Sequence, residues 1–93
     1  MFGTAAAADL DNCRYNGIEL KGEVEIVDRS GDIKVEIVDN FADIHVQRVD
    51  NFADACGQWK IVDNFSDFTI EIVDNFGDID VKWVDNFPGV QQP

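Results

Sequence analysis

The sequence predicts an all-β domain built from six strand-and-corner repeats of about 11 residues each. The first observation is the dipeptide Val-Asp, which recurs six times between Val27 and Asp85, at spacings of 11, 11, 13, 11 and 11 residues. The second is the alternation of apolar and charged residues just before each dipeptide, which is the pattern of a half-buried strand. Self-similarity at a fixed period indicates a repeat architecture, so these two observations decide the fold class.

Each repeat contains about six residues of strand and five of corner. Within residues 33–38, Ile33, Val35 and Ile37 alternate with charged residues and therefore share one face of the strand. The predicted strands are residues 22–27, 33–38, 44–49, 57–62, 68–73 and 79–84. The predicted core residues are Ile33, Val35, Ile37, Val46, Trp59, Ile61, Ile70, Ile72 and Val81.

The corners read Asp-Asn-Phe in five of the six copies. Asp and Asn side chains bond to nearby backbone and tolerate left-handed conformations, so they are typical of turns. We expect most corner aspartates to accept hydrogen bonds from corner N–H groups, which depresses the pKa of a carboxyl group. The recurring phenylalanines are predicted to be buried plugs at the ends of the sheets: Phe41, Phe52, Phe65, Phe76 and Phe87.

The odd period constrains how the strands are layered. A flat, continuous strand changes faces at every 11-residue repeat, so the corners must carry the chain from one layer to the other. The sequence therefore predicts two packed β-layers.

Arg48 occupies a repeat position that otherwise holds Ile or Trp. We expect Arg48 at a rim, with its stem packed and its guanidinium in water or near a corner carboxylate.

Composition excludes several function classes. Nineteen acidic residues against seven basic ones give a net charge of −12, while 45% hydrophobic residues suffice for a core. This charge disfavours nucleic acid and anionic membrane surfaces. Membrane insertion is not expected, because no run approaches the roughly 18 apolar residues of a spanning helix.

We expect one domain at residues 13–90, a linker or cloning scar at 1–12 and a tail at 91–93.

The two cysteines, Cys13 and Cys56, are too few for a structural zinc site, and the single His45 does not complete one. Cys56 lies at the only interruption of the repeat, which favours a disulfide between Cys13 and Cys56. Two reduced, half-buried thiols are the alternative. A disulfide is typical of an oxidising compartment, so it predicts a secreted or periplasmic protein.

The sequence predicts no catalytic residue, no cofactor site and no dedicated metal site. It has one histidine and lacks a Gly-x-Ser-x-Gly elbow, so the components of a nucleophilic triad are missing. A hydrolase that uses paired carboxylates is the least supported class, because the pairs recur at successive corners: Asp39 with Asp43, Asp50 with Asp54, Asp63 with Asp67, and Asp74 with Asp78. Carboxylate and amide oxygens also suit calcium, so a calcium-stabilised surface or adhesion module is the alternative function.

Three stretches, Cys13–Gly22, Gly57–Val62 and Val84–Val90, together resemble the bacterial septoil-knot domain family. The repeats of that family read Val-x-x-Phe-Pro-Asp followed by a short alternating strand, and the likeness runs from about residue 13 to 90. Where relatives often carry proline, only Pro88 keeps it; the departures are Ala42, Ala53, Ser66 and Gly77. The resemblance implies an exported β-domain threaded as a seven-crossing torus knot, with no known biochemical activity. We therefore expect a non-catalytic, compact structural or interaction module whose partner and oligomeric state are unknown.

Overall fold

The computed structural model describes residues 10–91, and most of the predicted linker and tail lies outside them. The described part is all-β and contains no α-helix. A 3-10 turn, Asp11–Cys13, precedes the first strand. The strands are β1 Arg14–Tyr15, β2 Ile18–Glu19, β3 Gly22–Val27, β4 Ile33–Ile37, β5 Ile44–Arg48, β6 Gln58–Ile61, β7 Phe68–Val73, β8 Ile79–Val84 and β9 Gly89–Val90.

Strands β3 to β8 form one closed barrel in which all neighbours are parallel. Their order around the barrel is β3, β7, β4, β8, β5 and β6, and β6 pairs with β3 to close the ring. Strands β1 and β2 form a separate antiparallel hairpin, and β9 pairs antiparallel with the start of β5. The prediction of two packed layers was wrong, because every repeat strand finds a partner on both edges and the sheet closes on itself.

The register is the same between all neighbouring strands of the barrel. Positions in each strand can be counted back from the valine of its Val-Asp dipeptide. The residue three positions before this valine pairs with the residue five positions before the valine of the neighbouring strand in the barrel. The pairs are Val24 with Phe68, Ile70 with Ile33, Val35 with Ile79, Val81 with Ile44, and Trp59 with Gly22. The junction of β5 and β6 keeps the same two-residue offset. A constant offset of this kind tilts the strands and closes a sheet into a barrel.

The corners are short for connections between parallel strands, which normally need about a dozen residues or more. The reason is that each strand ends level with the start of the next, on the far side of one intervening strand. Ile37 at the end of β4 and Ile44 at the start of β5 both pair with Val81 of β8. A corner of about five residues therefore has only to step over one strand, a span of about 10 Å.

The corners pass at close range over the outside of the intervening strand, because the inside is filled by side chains. A Cβ on Gly31 would lie 2.8 Å from the amide nitrogen of Glu71 and 2.9 Å from the carbonyl carbon of Ile70, both in β7. A Cβ on Gly77 would lie 2.9 Å from the amide nitrogen of Glu36 in β4. The same corner position in the other repeats holds small residues or proline: Ala42, Ala53, Ser66 and Pro88.

The interruption of the repeat lies where the path changes. Four corners carry the chain across one strand, but the segment between β5 and β6 leads to an adjacent strand. If every connection crossed one strand, the chain would occupy only alternate positions of the six-strand ring, and the connection after β5 would lead back to the position of β3. The single step instead brings β6, β7 and β8 into the gaps beside β3, β4 and β5, so the second circuit completes the barrel.

Two inward side chains per strand fill the barrel. The buried members of this set are Val24, Ile33, Val35, Ile44, Val46, Trp59, Phe68, Ile70, Ile79 and Val81. Gly22 pairs with Trp59, so the large indole ring lies beside a position that has no side chain. The same ring makes edge-on contacts with Phe68 and Trp83, at centroid distances of 5.6 and 6.1 Å. Uneven side-chain volumes thereby complement one another in a close-packed interior.

The predicted core is confirmed for six residues: Ile33, Val35, Val46, Trp59, Ile70 and Val81. Ile61 is half-buried and packs against this core. The prediction was wrong for Ile37 and Ile72, whose exposed fractions are 36% and 44%. Both lie one residue before the valine of Val-Asp, at an end of the barrel that no further layer among residues 10–91 covers. Arg48 occupies this repeat position too, and its guanidinium lies 5.8 Å from the centre of the Trp83 ring, a cation–π geometry.

The segment before β3 closes the other end of the barrel. Leu10 and Leu20 are buried in the core there, although the sequence assigned residues 1–12 to a linker. The carbonyl oxygen of Leu20 accepts hydrogen bonds from the Gly57 amide at 2.9 Å and from Nε1 of Trp59 at 3.1 Å. Two leucines therefore take the plugging role that the sequence assigned to the corner phenylalanines.

Replacing Gly77 with alanine tests the close crossing of corner and strand. We expect Gly77→Ala and Gly31→Ala each to lower the free energy of unfolding by about 1–3 kcal/mol, because the added methyl group meets backbone that is held in a ladder. Urea unfolding measures the change. Ser66→Ala is the matched control at the same corner position, with an expected effect within about 0.5 kcal/mol. Equally small effects of all three substitutions would contradict the close crossing.

Candidate functional site

The corner phenylalanines point into solvent. Their exposed fractions are 97% for Phe41, 84% for Phe52, 92% for Phe65, 94% for Phe76 and 88% for Phe87. The prediction that they are buried plugs was therefore wrong. Four of these residues, Phe41, Phe65, Phe76 and Phe87, lie in segments that step over the outside of a strand and therefore face away from the barrel; Phe52 lies in the interrupted segment between β5 and β6. We call these five residues the phenylalanine belt.

The belt residues also have an unfavourable backbone conformation. All five have φ between 53 and 59°, in the left-handed region that bulky residues rarely adopt. Ser30 occupies the same corner position in the first repeat, with φ of 61°. The barrel therefore accepts a small polar residue at this position, and neither burial nor backbone geometry requires phenylalanine. The degenerate first copy, Asp28-Arg29-Ser30, was the signal in the sequence that the rings are not core residues.

Three belt residues lie over consecutive strands. The corner of Phe76 crosses β4, because it joins β7 to β8, and the corner of Phe41 crosses β8. Ile44 of β5 pairs with β8 on one side and with β9 on the other, so the segment that contains Phe87 crosses β5. We call Phe76, Phe41 and Phe87 the β4–β8–β5 arc. Residues from three distant parts of the chain thus form one surface.

A second exposed apolar surface lies at the uncovered end of the barrel. Ile26, Ile72 and Ile37 lie within the last two residues of the consecutive strands β3, β7 and β4, with exposed fractions of 43%, 44% and 36%. The alternation in the sequence led to the prediction that two of them, Ile37 and Ile72, are core residues. They differ from true core residues only in their distance from the corner, which the alternation does not reveal.

The second aspartate of a corner joins neighbouring strands. Oδ2 of Asp67 accepts a hydrogen bond from the amide of Glu23 at 2.9 Å, and the Asp67 amide donates to the Glu23 carbonyl at 2.7 Å. Asp78 makes the same pair of bonds with Lys34, at 2.8 and 2.6 Å. These bonds extend the ladder beyond the strand, so we call them aspartate clasps.

The clasp recurs with one variation. Asp43 accepts from the Asp80 amide at 2.8 Å and donates to its carbonyl at 2.8 Å. Asp32 accepts from the amide of Thr69 at 2.9 Å, and the Thr69 hydroxyl accepts from the Asp32 amide at 2.9 Å. The donor is in each case an N–H of the neighbouring strand, whereas the sequence predicted corner N–H groups. The first aspartates of the six corners, from Asp28 to Asp85, are all exposed.

The clasps use one member of three of the carboxylate pairs that the sequence singled out. In the corners that contain Asp43, Asp67 and Asp78, one oxygen of the second carboxylate is bonded to a neighbouring strand. Residues 10–91 contain no group of three or more His, Cys, Asp or Glu side chains arranged to hold a metal ion. The geometry therefore lends no support to a calcium site in a single corner.

Cys56 stands at the repeat position where four other repeats have the clasp aspartate. Cys13 and Cys56 form a disulfide pair with Cα atoms 6.0 Å apart, which supports the predicted pairing. Both cysteines pack against the core beside Leu10 and Leu20. At the interrupted junction, a covalent bond thus joins the leading segment to the barrel in place of a clasp.

A polar groove of about 640 Å³ separates the β1–β2 hairpin from the barrel. Its lining residues are Arg14, Gly17, Ile18, Glu19, Lys21, Gly22, Ala53, Asp67 and Phe68. Three of its charged groups are already used internally, because Arg14 pairs with Glu19 at 3.1 Å and Asp67 belongs to a clasp. On the hairpin itself, burial and then the nearby Asp78 carboxylate raise the pKa of Tyr15.

Asp43 differs from the sequence expectation in its protonation. Burial raises the pKa of its carboxyl group above 3.8; the hydrogen bond from the Asp80 amide opposes this shift, and the Asp80 charge adds to it. The expected depression of the pKa was therefore wrong at Asp43. The folded state binds this proton more tightly than the unfolded chain does. The ionised Asp43 carboxylate therefore lowers the free energy of unfolding at neutral pH. This unfavourable contribution decreases as the pH falls through the folded-state pKa of Asp43, and it vanishes below the unfolded-state pKa.

We expect Asp43→Asn to raise the free energy of unfolding at pH 7, because the amide removes a buried charge and keeps an oxygen acceptor for Asp80. The advantage should shrink as the pH falls and disappear below about 3.8. The matched control is Asp39→Asn, which changes the net charge equally at an exposed site. Urea midpoints from pH 3 to 8 measure both. An Asp43→Asn protein less stable at pH 7 than Asp39→Asn would contradict the burial argument.

Comparison with known proteins identifies the family. No helix within residues 10–91 is long and apolar enough to cross a membrane. A search of curated proteins found no match to the sequence. The family described as the 7(1) septoil knot domain matches residues 17–91, which is most of the chain. The matched range covers the parallel barrel, all the corners and strand β9. The chain therefore belongs to the septoil knot domain family.

Proposed function

We propose that this protein is a compact, non-catalytic interaction module that contacts its partner through the phenylalanine belt. The observation that carries the proposal is the exposure of five phenylalanine rings, each 84% or more, in a backbone conformation that disfavours them. Both features oppose the stability of the isolated fold, and Ser30 demonstrates that the fold does not need them. Residues that break local rules without a stabilising effect are typical of functional surfaces.

The interior of the barrel supports a role without catalysis. Enzyme sites are usually concave and bring a few polar groups together. The inward positions here are apolar and filled by packed side chains. The carboxylates that recur at the corners are spread around the outside, and four of them are bonded to neighbouring strands. Neither the barrel interior nor these corner carboxylates therefore supply a convergent set of polar groups, which supports a role without catalysis.

The proposal includes a knotted chain path and export. Membership of the septoil knot family supports the knot, as do the two circuits of the barrel in which corners step over intervening strands. The Cys13–Cys56 pair supports an oxidising compartment, because disulfides persist in secreted and periplasmic proteins. A small domain also benefits from a covalent link, which in the chain-entropy model contributes about 3–4 kcal/mol for a loop of this size.

The calcium-stabilised surface module remains the alternative, and a thermal melt separates it from the proposal. We expect the melting temperature in millimolar calcium to match that in EDTA within about 1 °C, because clasp bonds occupy the second aspartates. A ligand that binds only the folded state raises the melting temperature with its concentration. A rise of several degrees with calcium, but not with magnesium, would favour the alternative.

Replacing belt phenylalanines with asparagine tests the proposed function. We expect Phe41→Asn and Phe76→Asn each to leave the free energy of unfolding unchanged or to raise it by up to about 1 kcal/mol, because asparagine tolerates the left-handed conformation. The control is Phe68→Ala in the core, with an expected loss of about 3–5 kcal/mol. Losses above about 2 kcal/mol at the belt positions would mean that the rings stabilise the fold, and the proposal would fail.

A further inference from the structure

We propose that the β4–β8–β5 arc binds an arginine-rich segment of a partner protein. This inference rests on the proposed interaction function and adds the chemistry of the partner. The arc presents the rings of Phe76, Phe41 and Phe87 on consecutive strands, each almost fully exposed. An apolar surface alone does not indicate its partner, but the charges around these rings do.

The corners and strands of the arc carry several acidic side chains, and none of them forms an ion pair within the described residues. Each ring follows an exposed aspartate by two residues: Asp74, Asp39 and Asp85. Asp43, Asp78, Asp80 and Glu36 add further negative charge on the same strands and corners, so the acidic groups outnumber the three cations there, Lys34, Lys82 and Arg48. Within residues 10–91 the one ion pair is Arg14 with Glu19, and neither residue belongs to the strands or corners of the arc. The described residues therefore leave a net negative charge on this surface.

A guanidinium group fits this combination better than other side chains do. Its face stacks on an aromatic ring, and its planar fork binds a carboxylate through two parallel hydrogen bonds. It is also more weakly hydrated than an ammonium group, so less solvation is lost on contact with a ring. The chain already contains such a contact, because the Arg48 guanidinium lies 5.8 Å from the centre of the Trp83 ring.

The net charge argues against other occupants. A second copy of the chain also carries a charge of −12, so face-to-face association is opposed by repulsion. Anionic lipids and nucleic acids have the same sign and are opposed for the same reason. Neighbouring crossings lie on the order of 5–10 Å apart across the strands, so an extended segment of about six residues spans the arc. A basic peptide is the occupant that satisfies both the rings and the charge.

Fluorescence anisotropy with a labelled ten-residue peptide of alternating arginine and glycine tests the inference. We expect a Kd in the micromolar range at low salt, several-fold weaker binding of the lysine version, and no binding of the glutamate version. The triple variant Phe41→Asn, Phe76→Asn, Phe87→Asn keeps the net charge, and we expect it to bind the arginine peptide at least tenfold more weakly. Phe52→Asn with Phe65→Asn, outside the arc, should leave the Kd within twofold.

A second variant keeps the test decisive if the triple phenylalanine variant folds poorly. Asp39→Asn, Asp74→Asn and Asp85→Asn together should weaken binding and flatten its dependence on salt between 20 and 500 mM NaCl, because fewer charges contribute. Equal affinity for the arginine and lysine peptides, unchanged by the triple phenylalanine variant, would overturn the inference, since binding would then be charge attraction alone.

The failure of this inference is distinguishable from failure of the proposed function. If the phenylalanine variants keep their stability but the arginine peptide does not bind wild-type protein, the partner chemistry is wrong and the interaction module stands. Phenylalanine-dependent dimers of wild-type protein in sedimentation, or binding to vesicles of zwitterionic lipid, would likewise overturn the arginine-rich partner. Loss of stability in those variants would overturn the proposed function itself.

Discussion

The constant two-residue offset between neighbouring strands is the constraint on which the rest of the structure depends. Because of it, Ile37 and Ile44 flank the same residue, Val81, and a five-residue corner suffices to join two parallel strands. The same offset at all six junctions closes the sheet and leaves room for two inward side chains per strand. The close approach at Gly31 and Gly77 follows, since each corner must step over a strand that is already part of the barrel.

The surface follows from the same constraint. A corner that steps over a strand turns its middle residue away from the core, so Phe41, Phe65, Phe76 and Phe87 are exposed. Repetition then places an aromatic ring and acidic residues at successive corners, and in the arc three of these corners cross the consecutive strands β4, β8 and β5. The clasps made by Asp43 and Asp78 bond two corners of the arc to neighbouring strands, which restrains this surface. A rigid surface loses little entropy on binding.

The sequence predicted the elements better than their arrangement. Alternation located the six repeat strands and inward residues such as Val35 and Trp59, and the repeat's interruption indicated the Cys13–Cys56 pair. It did not distinguish a closed parallel barrel from two layers, because closure depends on a register between distant repeats. It also assigned the belt phenylalanines to the core, since their recurrence and size resemble core residues. Only Ser30, in the degenerate first copy, indicated otherwise.

Proton–proton contacts measured by NMR on labelled protein test the central claim most directly. The account predicts that backbone protons of Val81 contact those of Ile37 on one side and those of Ile44 on the other, with no direct contacts between β4 and β5. Val24 should likewise contact both Ile61 and Phe68. Direct ladder contacts between β4 and β5, as consecutive strands would make in a simple meander, would contradict the stepping of each corner over an intervening strand.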